Sequence, residues 1–367
     1  MDIYNIKWSI VLALSIISYA IYLCKKYHWS AGVLFGYVGL NTLSVFSYPQ
    51  NIYSQLPNNV FHTLTGYTAK SFIALLLMVI LVDMIRKDIV PKLFLFILSL
   101  DAILTIYQFF TVDKYHLVTG FLDNISLNGG LLAVFVPVIL NIKNIRVKIP
   151  MLLLFITAIL CCKASVASGT LALALASYYF MKHKSYLIPV LLFCAVLGTA
   201  TLVDKSTFSG SGRFMLYKIQ LKSFLDDKVC YPEKQKEVCL KDGNNLTGRS
   251  TGTFHFWAFI TQVKYYLTEG KGKTGEIMRF LHSDWLQIMM EFGYIGLALS
   301  ILLAGYLIFM SWGEPMMFSM LISYMGFMVF HYPIHYPLQA FVGLWIIAHI
   351  ILSYKENNSI ITLREIK

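Results

Sequence analysis

Long uncharged apolar runs recur along nearly the whole 367-residue chain, and no other feature limits its fold as much. Residues 8–24, 29–48, 70–86, 93–111, 127–142, 150–164, 169–181, 186–203, 294–312, 315–333 and 337–354 each approach the ~20 residues that a helix needs to cross a hydrocarbon core. Only 13% of the residues are charged, about half the share typical of a soluble domain. The expected fold is an all-α polytopic membrane protein with 11 or 12 transmembrane helices. The first run ends at Lys25 and Lys26 rather than at a small-residue cleavage site, so a cleavable signal peptide is not expected.

Loop charge orients the spans. The loops at 25–28, 86–92, 141–150 and 182–184, with the tail after 354, carry thirteen Lys/Arg, whereas the alternate loops and the N-terminus carry only Lys7, Lys70, Lys114 and Lys163. By the positive-inside rule the C-terminus is cytoplasmic and the N-terminus external. The expected organisation is helices 1–8 over 1–203, a large periplasmic loop over 204–284, helices 9–11 over 285–354 and a cytoplasmic tail over 355–367. The formal charge of +11 divides between that inner surface and a local +4 on the outer loop, so nucleic acid is not an expected partner. The bilayer is.

Structureless loops of this length are uncommon and often functional. In SGSGRFMLYKIQLKSFLDD, Phe214, Tyr217, Leu221 and Phe224 recur at helical spacing, and TGRSTGTFHFWAFITQVKYYLTEGKG carries a second aromatic run. Each piece starts with a glycine-flanked arginine, Arg213 or Arg249. An arginine fork suits phosphate oxygens; an interfacial helix anchored by aromatics uses the same residues. Cys230 and Cys239, in CYPEKQKEVC, suit a disulfide stapling a short hairpin in an oxidising periplasm. Cys24, Cys161, Cys162 and Cys194 lie in or beside apolar spans, as packing residues. GKGKT at 270–274 lacks the first glycine of a P-loop, because position 267 is leucine.

The loop closes on FLHSDWLQIMMEFGYIG (280–296). Asp284 and Gln287 form an N-cap and N3 pair, which predicts a helix from about Asp284. On it Asp284, Gln287 and Glu291 share one face and Trp285, Ile288 and Phe292 another. His282 precedes the first turn, where the helix dipole favours the neutral, proton-accepting imidazole. Such a histidine suits deprotonation of a hydroxyl; as a plain capping segment, His282 and Ser283 would do no chemistry.

The spacing of His282, Ser283, Gly293 and Gly296 resembles the signature of the O-antigen ligase and O-antigen polymerase superfamily. The upstream order is similar: Arg213 in SGSGRFMLYKIQL, then Arg249 and Trp257, then Gly270 and Gly272. GFLDNISLNGGLLAVFVPVIL (120–140) and KASVASGTLALAL (163–175) resemble earlier family segments, the latter with Lys163 as its nearest cation instead of an arginine. The likeness covers roughly residues 120–310; Arg249 and Trp257 stand farther apart than is usual in the family. It implies a metal-independent glycosyltransferase of the bacterial inner membrane, without cofactor, acting at the periplasmic face. Its donor would be a glycan on undecaprenyl diphosphate. Its acceptor would be lipid A–core for a ligase, to which the His motif and the Arg213–Tyr217 stretch slightly lean, or another lipid-linked repeat for a polymerase with a chain-length regulator as partner. In these terms Arg213, Arg249 and Lys163 would hold the diphosphate. Trp257 would stack on sugar and His282 would accept or orient the hydroxyl proton, with Asp284 and Glu291 as reserve bases. No metal site is expected.

Two rival functions use other residues. A lipid-linked oligosaccharide flippase would depend on Asp101 and His349 inside spans, where charge is costly and usually functional; hydrogen bonding to a neighbouring helix would also account for both. A non-catalytic assembly subunit would need none of these groups. HYPIHYP (331–337) is expected to form a rigid aromatic turn rather than a metal site.

Overall fold

The computed structural model describes Gly36 and residues 89–112, 118–122, 124–184, 210–225, 228–233, 236–241, 245–246, 248 and 283–365. The expected spans at 8–24, 70–86 and 186–203, and all of 29–48 except Gly36, lie outside the described residues. Among the described residues the fold is helical apart from one two-stranded ladder, at the position of the short hairpin expected around Cys230 and Cys239. The helices are α1 (Ile89–Thr111), α2 (Ile125–Leu140), α3 (Ile145–Cys161), α4 (Ser165–His183), α5 (Gly210–Leu225), α6 (Asp284–Ser311), α7 (Pro315–Phe330) and α8 (Pro337–Glu365). Strands β1 (Lys228–Glu233) and β2 (Lys236–Lys241) form an antiparallel hairpin.

Seven of the expected runs coincide with α1–α4 and α6–α8. Two helical segments, Val90–Thr111 and Asp284–Ser311, are long and apolar enough to cross a membrane. Local chemistry sets several ends. Asn124 caps α2 by accepting from the Ser126 and Leu127 amides at 2.9 and 3.1 Å, which satisfies donors that the first turn otherwise leaves orphaned. Asn144 does the same for α3 through Arg146 N, and Pro315 opens α7, where its missing N–H costs nothing. The last helix continues past the expected boundary at 354, to Glu365. Hydropathy ends at Tyr354, but no proline or glycine follows to stop the helix.

The chain divides into two compact units. The first comprises Met1–Leu76, Gly210–Leu281 and Trp285–Leu303, the second Leu77–Ser209, His282–Asp284 and Ala304–Lys367. In the second unit, Phe135 stacks on Trp345 with centroids 5.8 Å apart, and Phe94 lies 5.4 Å from Phe135, so one aromatic cluster joins α1, α2 and α8. Hydroxyls join α4 to α7: Ser177 donates to Ser319 at 2.9 Å, and Ser319 donates to the Ala174 carbonyl. Tyr324 of α7 donates to the Gln339 carbonyl of α8 at 2.9 Å.

The polarity of α1 is inverted relative to a helix of a water-soluble protein. Leu93, Phe96, Leu100, Ile103, Tyr107 and Phe110 form an exposed stripe at helical spacing, each at least 45% exposed. The opposite face buries Asp101 and Thr105 beside Phe94, Leu98 and Ala102.

In the first unit α5 packs through Tyr217 and Phe224 against Leu286, Met289, Met290 and Leu297 of α6, and the Phe224 and Tyr294 rings meet edge-on at 5.4 Å. The expected stripe needs correction here: Leu221 is 41% exposed, whereas Gln220 is 1% exposed. With Tyr217 and Phe224 as anchors, the position between them on the packed face is 220, three residues on from 217, and Leu221 rotates outwards.

Candidate functional site

The helix that follows the loop begins as the sequence implies, one residue out of step. Asp284 is the first helical residue, so the capping position falls to Ser283. The Asp284 amide donates to the His331 carbonyl at 3.1 Å, and its carboxylate Oδ2 accepts from Ile334 N at 3.0 Å. Asp284 thereby fixes the turn at 331–336, which contains a short 3-10 helix, Pro333–His335. That turn is rich in ring contacts: His331 and Tyr332 lie 4.5 Å apart, and Tyr332 and Tyr336 lie 5.5 Å apart. His331 Nδ1 accepts from Tyr332 N at 3.1 Å.

One turn further along α6, Gln287 Nε2 donates to Glu291 Oε1 at 2.9 Å. Both side chains are buried, whereas Trp285, Ile288 and Phe292 are half-buried, as the two-faced reading of this helix requires. The helix then breaks. Gly293 has φ 69 and ψ −168, far from helical values, in a region that only glycine enters without strain. A break in an apolar helix frees backbone groups that need partners. Two of them find the loop: Tyr294 N donates to the Asn245 carbonyl and Ile295 N to the Leu246 carbonyl, both at 3.0 Å.

Gly248, at φ 80, completes this junction. A Cβ at Gly248 would collide with Gly293 N and the Glu291 carbonyl, and a Cβ at Gly293 would collide with the Leu246 carbonyl and Gly248 N. The two backbones touch where each lacks a side chain. The residue before Arg249 is therefore seated on the helix that carries Gln287 and Glu291. The sequence marked Gly293 as a motif position and Gly248 as a flank of Arg249; their direct contact was legible in neither.

The other expected site residues have different surroundings. Arg213 lies in the first turn of α5. Lys163 sits in the turn between α3 and α4 at φ 48, with its ammonium 5.2 Å from the Phe109 ring centroid. Cys161 and Cys162 are buried free thiols, in keeping with a packing role. Arg249, Trp257, Gly270, Gly272 and His282 lie outside the described residues. Cys230 is opposite Cys239 in the register of the β1–β2 hairpin, the hairpin that the sequence suggested at these positions.

No family model, curated protein or solved structure matches the chain.

The arrangement offers a buried amide–carboxylate pair beside a helix break, with a loop glycine docked on the break and an arginine next in sequence. Among the described residues, no group of three or more His, Cys, Asp or Glu side chains is placed to hold a metal ion.

Proposed function

We propose that this protein is a membrane-embedded glycosyltransferase that moves a glycan from undecaprenyl diphosphate to a sugar hydroxyl on the outer side of a bacterial inner membrane. The observation that carries the reading is the junction of Gly248 with Gly293. It ties the arginine-bearing loop segment to the helix of the His282–Gly296 motif, two pieces that the family resemblance links only by their order in sequence. The apolar outer stripe of α1, with polar groups on its inner face, supports placement in a bilayer.

In this reading Arg249, together with Arg213, neutralises the departing diphosphate, a task that fixed guanidinium groups perform without reorganisation. His282 takes the acceptor proton. Asp284 and Glu291 already accept hydrogen bonds from Ile334 N and Gln287, which favours the histidine over either carboxylate as the base. Trp257 supplies a stacking face for a sugar ring. Lys163, drawn over Phe109, is better suited to stabilising the α3–α4 turn than to holding diphosphate.

The test is the surface-glycan ladder of a null strain complemented with wild type or His282→Ala. Loss of the ladder with polymer retained on its lipid carrier identifies a ligase. Single repeats on the core identify a polymerase. An unchanged ladder rejects the glycosyltransferase reading.

A further inference from the structure

The directions of three helices put the start of α3 level with the start of α1. Asn128 Nδ2 of α2 donates to Thr105 Oγ1 of α1 at 2.7 Å, and Phe135 lies 5.4 Å from Phe94, so α1 and α2 run antiparallel. The chain then turns at 141–144, and α3 comes back until Cys162 Sγ lies 3.9 Å from Asn128 Nδ2. Helices α1 and α3 therefore begin at the same end of the second unit. With α1 placed across a bilayer, as proposed above, the first turn of α3 stands at the level of the lipid headgroups. That is the side which loop charge assigns to the cytoplasm.

That first turn is cationic. Lys143 and Arg146 are exposed and Lys148 is half-buried. No Asp or Glu occurs from residue 125 to residue 183, and among the described residues none of the three side chains joins an ion pair. The helix dipole does not hold them either, because its positive end lies at the N-terminus. Apolar side chains stand between these cations. Ile145, Ile149 and Leu153 are each at least 50% exposed and recur every four residues, which keeps them on one face. From Ile145 to Leu153 the stripe covers about 12 Å, most of a leaflet of about 15 Å. Helical geometry places Arg146 and Lys148 on opposite flanks of it.

We propose that the segment from Lys143 to Leu153 binds one anionic phospholipid. The phosphodiester meets Lys143, Arg146 and Lys148, and an acyl chain lies along Ile145, Ile149 and Leu153. The guanidinium forks onto two phosphate oxygens, and the lysines add point charge. Free phosphate would satisfy the cations but leave the stripe uncovered. A zwitterionic lipid would cover the stripe but bring a cation of its own to the headgroup. The site rests on the placement of α1 in a bilayer and is independent of glycan transfer. Lys182 and Lys184, at the end of α4, are the comparison: their ammonium groups lie 5.9 and 5.5 Å from the Tyr178 and Trp312 ring centroids and are already engaged.

In the experiment, phosphatidylglycerol is titrated into the purified full-length protein in mixed micelles of detergent and phosphatidylcholine, and bound lipid is counted by native mass spectrometry. Wild type should retain phosphatidylglycerol in preference to phosphatidylcholine. Affinity should fall roughly fivefold for each cation removed, in Lys143→Gln, Arg146→Gln and Lys148→Gln. Lys182→Gln and Lys184→Gln should bind as wild type does, and inorganic phosphate should not displace the lipid. Equal retention of the two lipids, unchanged affinity in the α3 variants, displacement by phosphate, or the same loss in the α4 variants overturns the site while leaving the bilayer placement intact. A wild type that stays dispersed in plain buffer, without detergent or lipid, overturns that placement and the site with it.

Discussion

Gly248 and Gly293 meet backbone to backbone, each in a positive-φ conformation, at the point where α6 breaks. A methyl group at either position faces two obstacles, the steric collision and the strain of left-handed backbone. Gly293→Ala and Gly248→Ala should each cost about 1–3 kcal/mol from the backbone strain alone, with the displaced loop adding to it. Each should abolish glycan transfer in the complementation assay while membrane levels remain measurable. Alanine at Gly305, where a Cβ would meet nothing within 4 Å, is the control and should behave as wild type.

Asp284 is predicted to matter to the architecture first. Its Oδ2 holds Ile334 N, and removing it leaves a partly buried amide without its acceptor. Asp284→Ala should lower the stability of the 331–336 turn by about 1–3 kcal/mol. Asp284→Asn, which keeps one acceptor oxygen, should lose less. Hydrogen exchange at Ile334, followed by mass spectrometry, reads this directly. Equal protection in Asp284→Ala and wild type would contradict it.

Arginine and lysine should not be interchangeable at position 249. If the guanidinium binds diphosphate as a fork, Arg249→Lys retains the charge but loses the paired geometry. Arg249→Ala should weaken donor binding more than Arg249→Lys, and both more than wild type, in a titration with a lipid diphosphate analogue. Wild-type binding in both variants would remove the diphosphate clamp from the mechanism.

The hairpin makes a covalent prediction. Pro232 pairs with Glu237, and a proline, lacking an N–H, fits a ladder only where its nitrogen points away from the partner strand. Pairs alternate along an antiparallel ladder, so Cys230 and Cys239, two positions on, also form a non-hydrogen-bonded pair, where Cα atoms approach to about 4.5 Å. That spacing lies within the disulfide range. Protein from the native membrane, alkylated without reduction, should show residues 230 and 239 linked by mass spectrometry. Alkylation of both thiols in unreduced protein would rule the bridge out.

Sequence legibility followed the range of the interaction. Helix positions come from runs of apolar residues, and the seven runs that fall on described residues lie on helices. The start of α6 was readable to within one residue from Asp284 and Gln287. The hairpin was suggested by two cysteines nine positions apart. What escaped was non-local. Nothing local marks a stop between Asp284 and the run at 294–312, and the break at Gly293 is matched by distant carbonyls, at Asn245 and Leu246, that accept the freed amides. The bond from Asp101 to Phe121 spans twenty residues and leaves no periodic trace. Gln220 faces inwards because of what α6 presents to α5, which the periodicity of α5 alone did not reveal.

The outer stripe of α1 runs from Leu93 to Phe110, which at 1.5 Å per residue is about 25 Å of continuous apolar surface. The whole apolar segment, Val90–Thr111, extends about 33 Å at that rise, close to an average hydrocarbon core of about 30 Å. With α1 placed across a bilayer, as proposed above, a much thinner lipid would force the helix to tilt and a much thicker one would be drawn inwards around it. On that proposal acyl-chain length should act on this protein much as a ligand acts on a soluble one, with a lipid of matched thickness as the solvent of greatest stability.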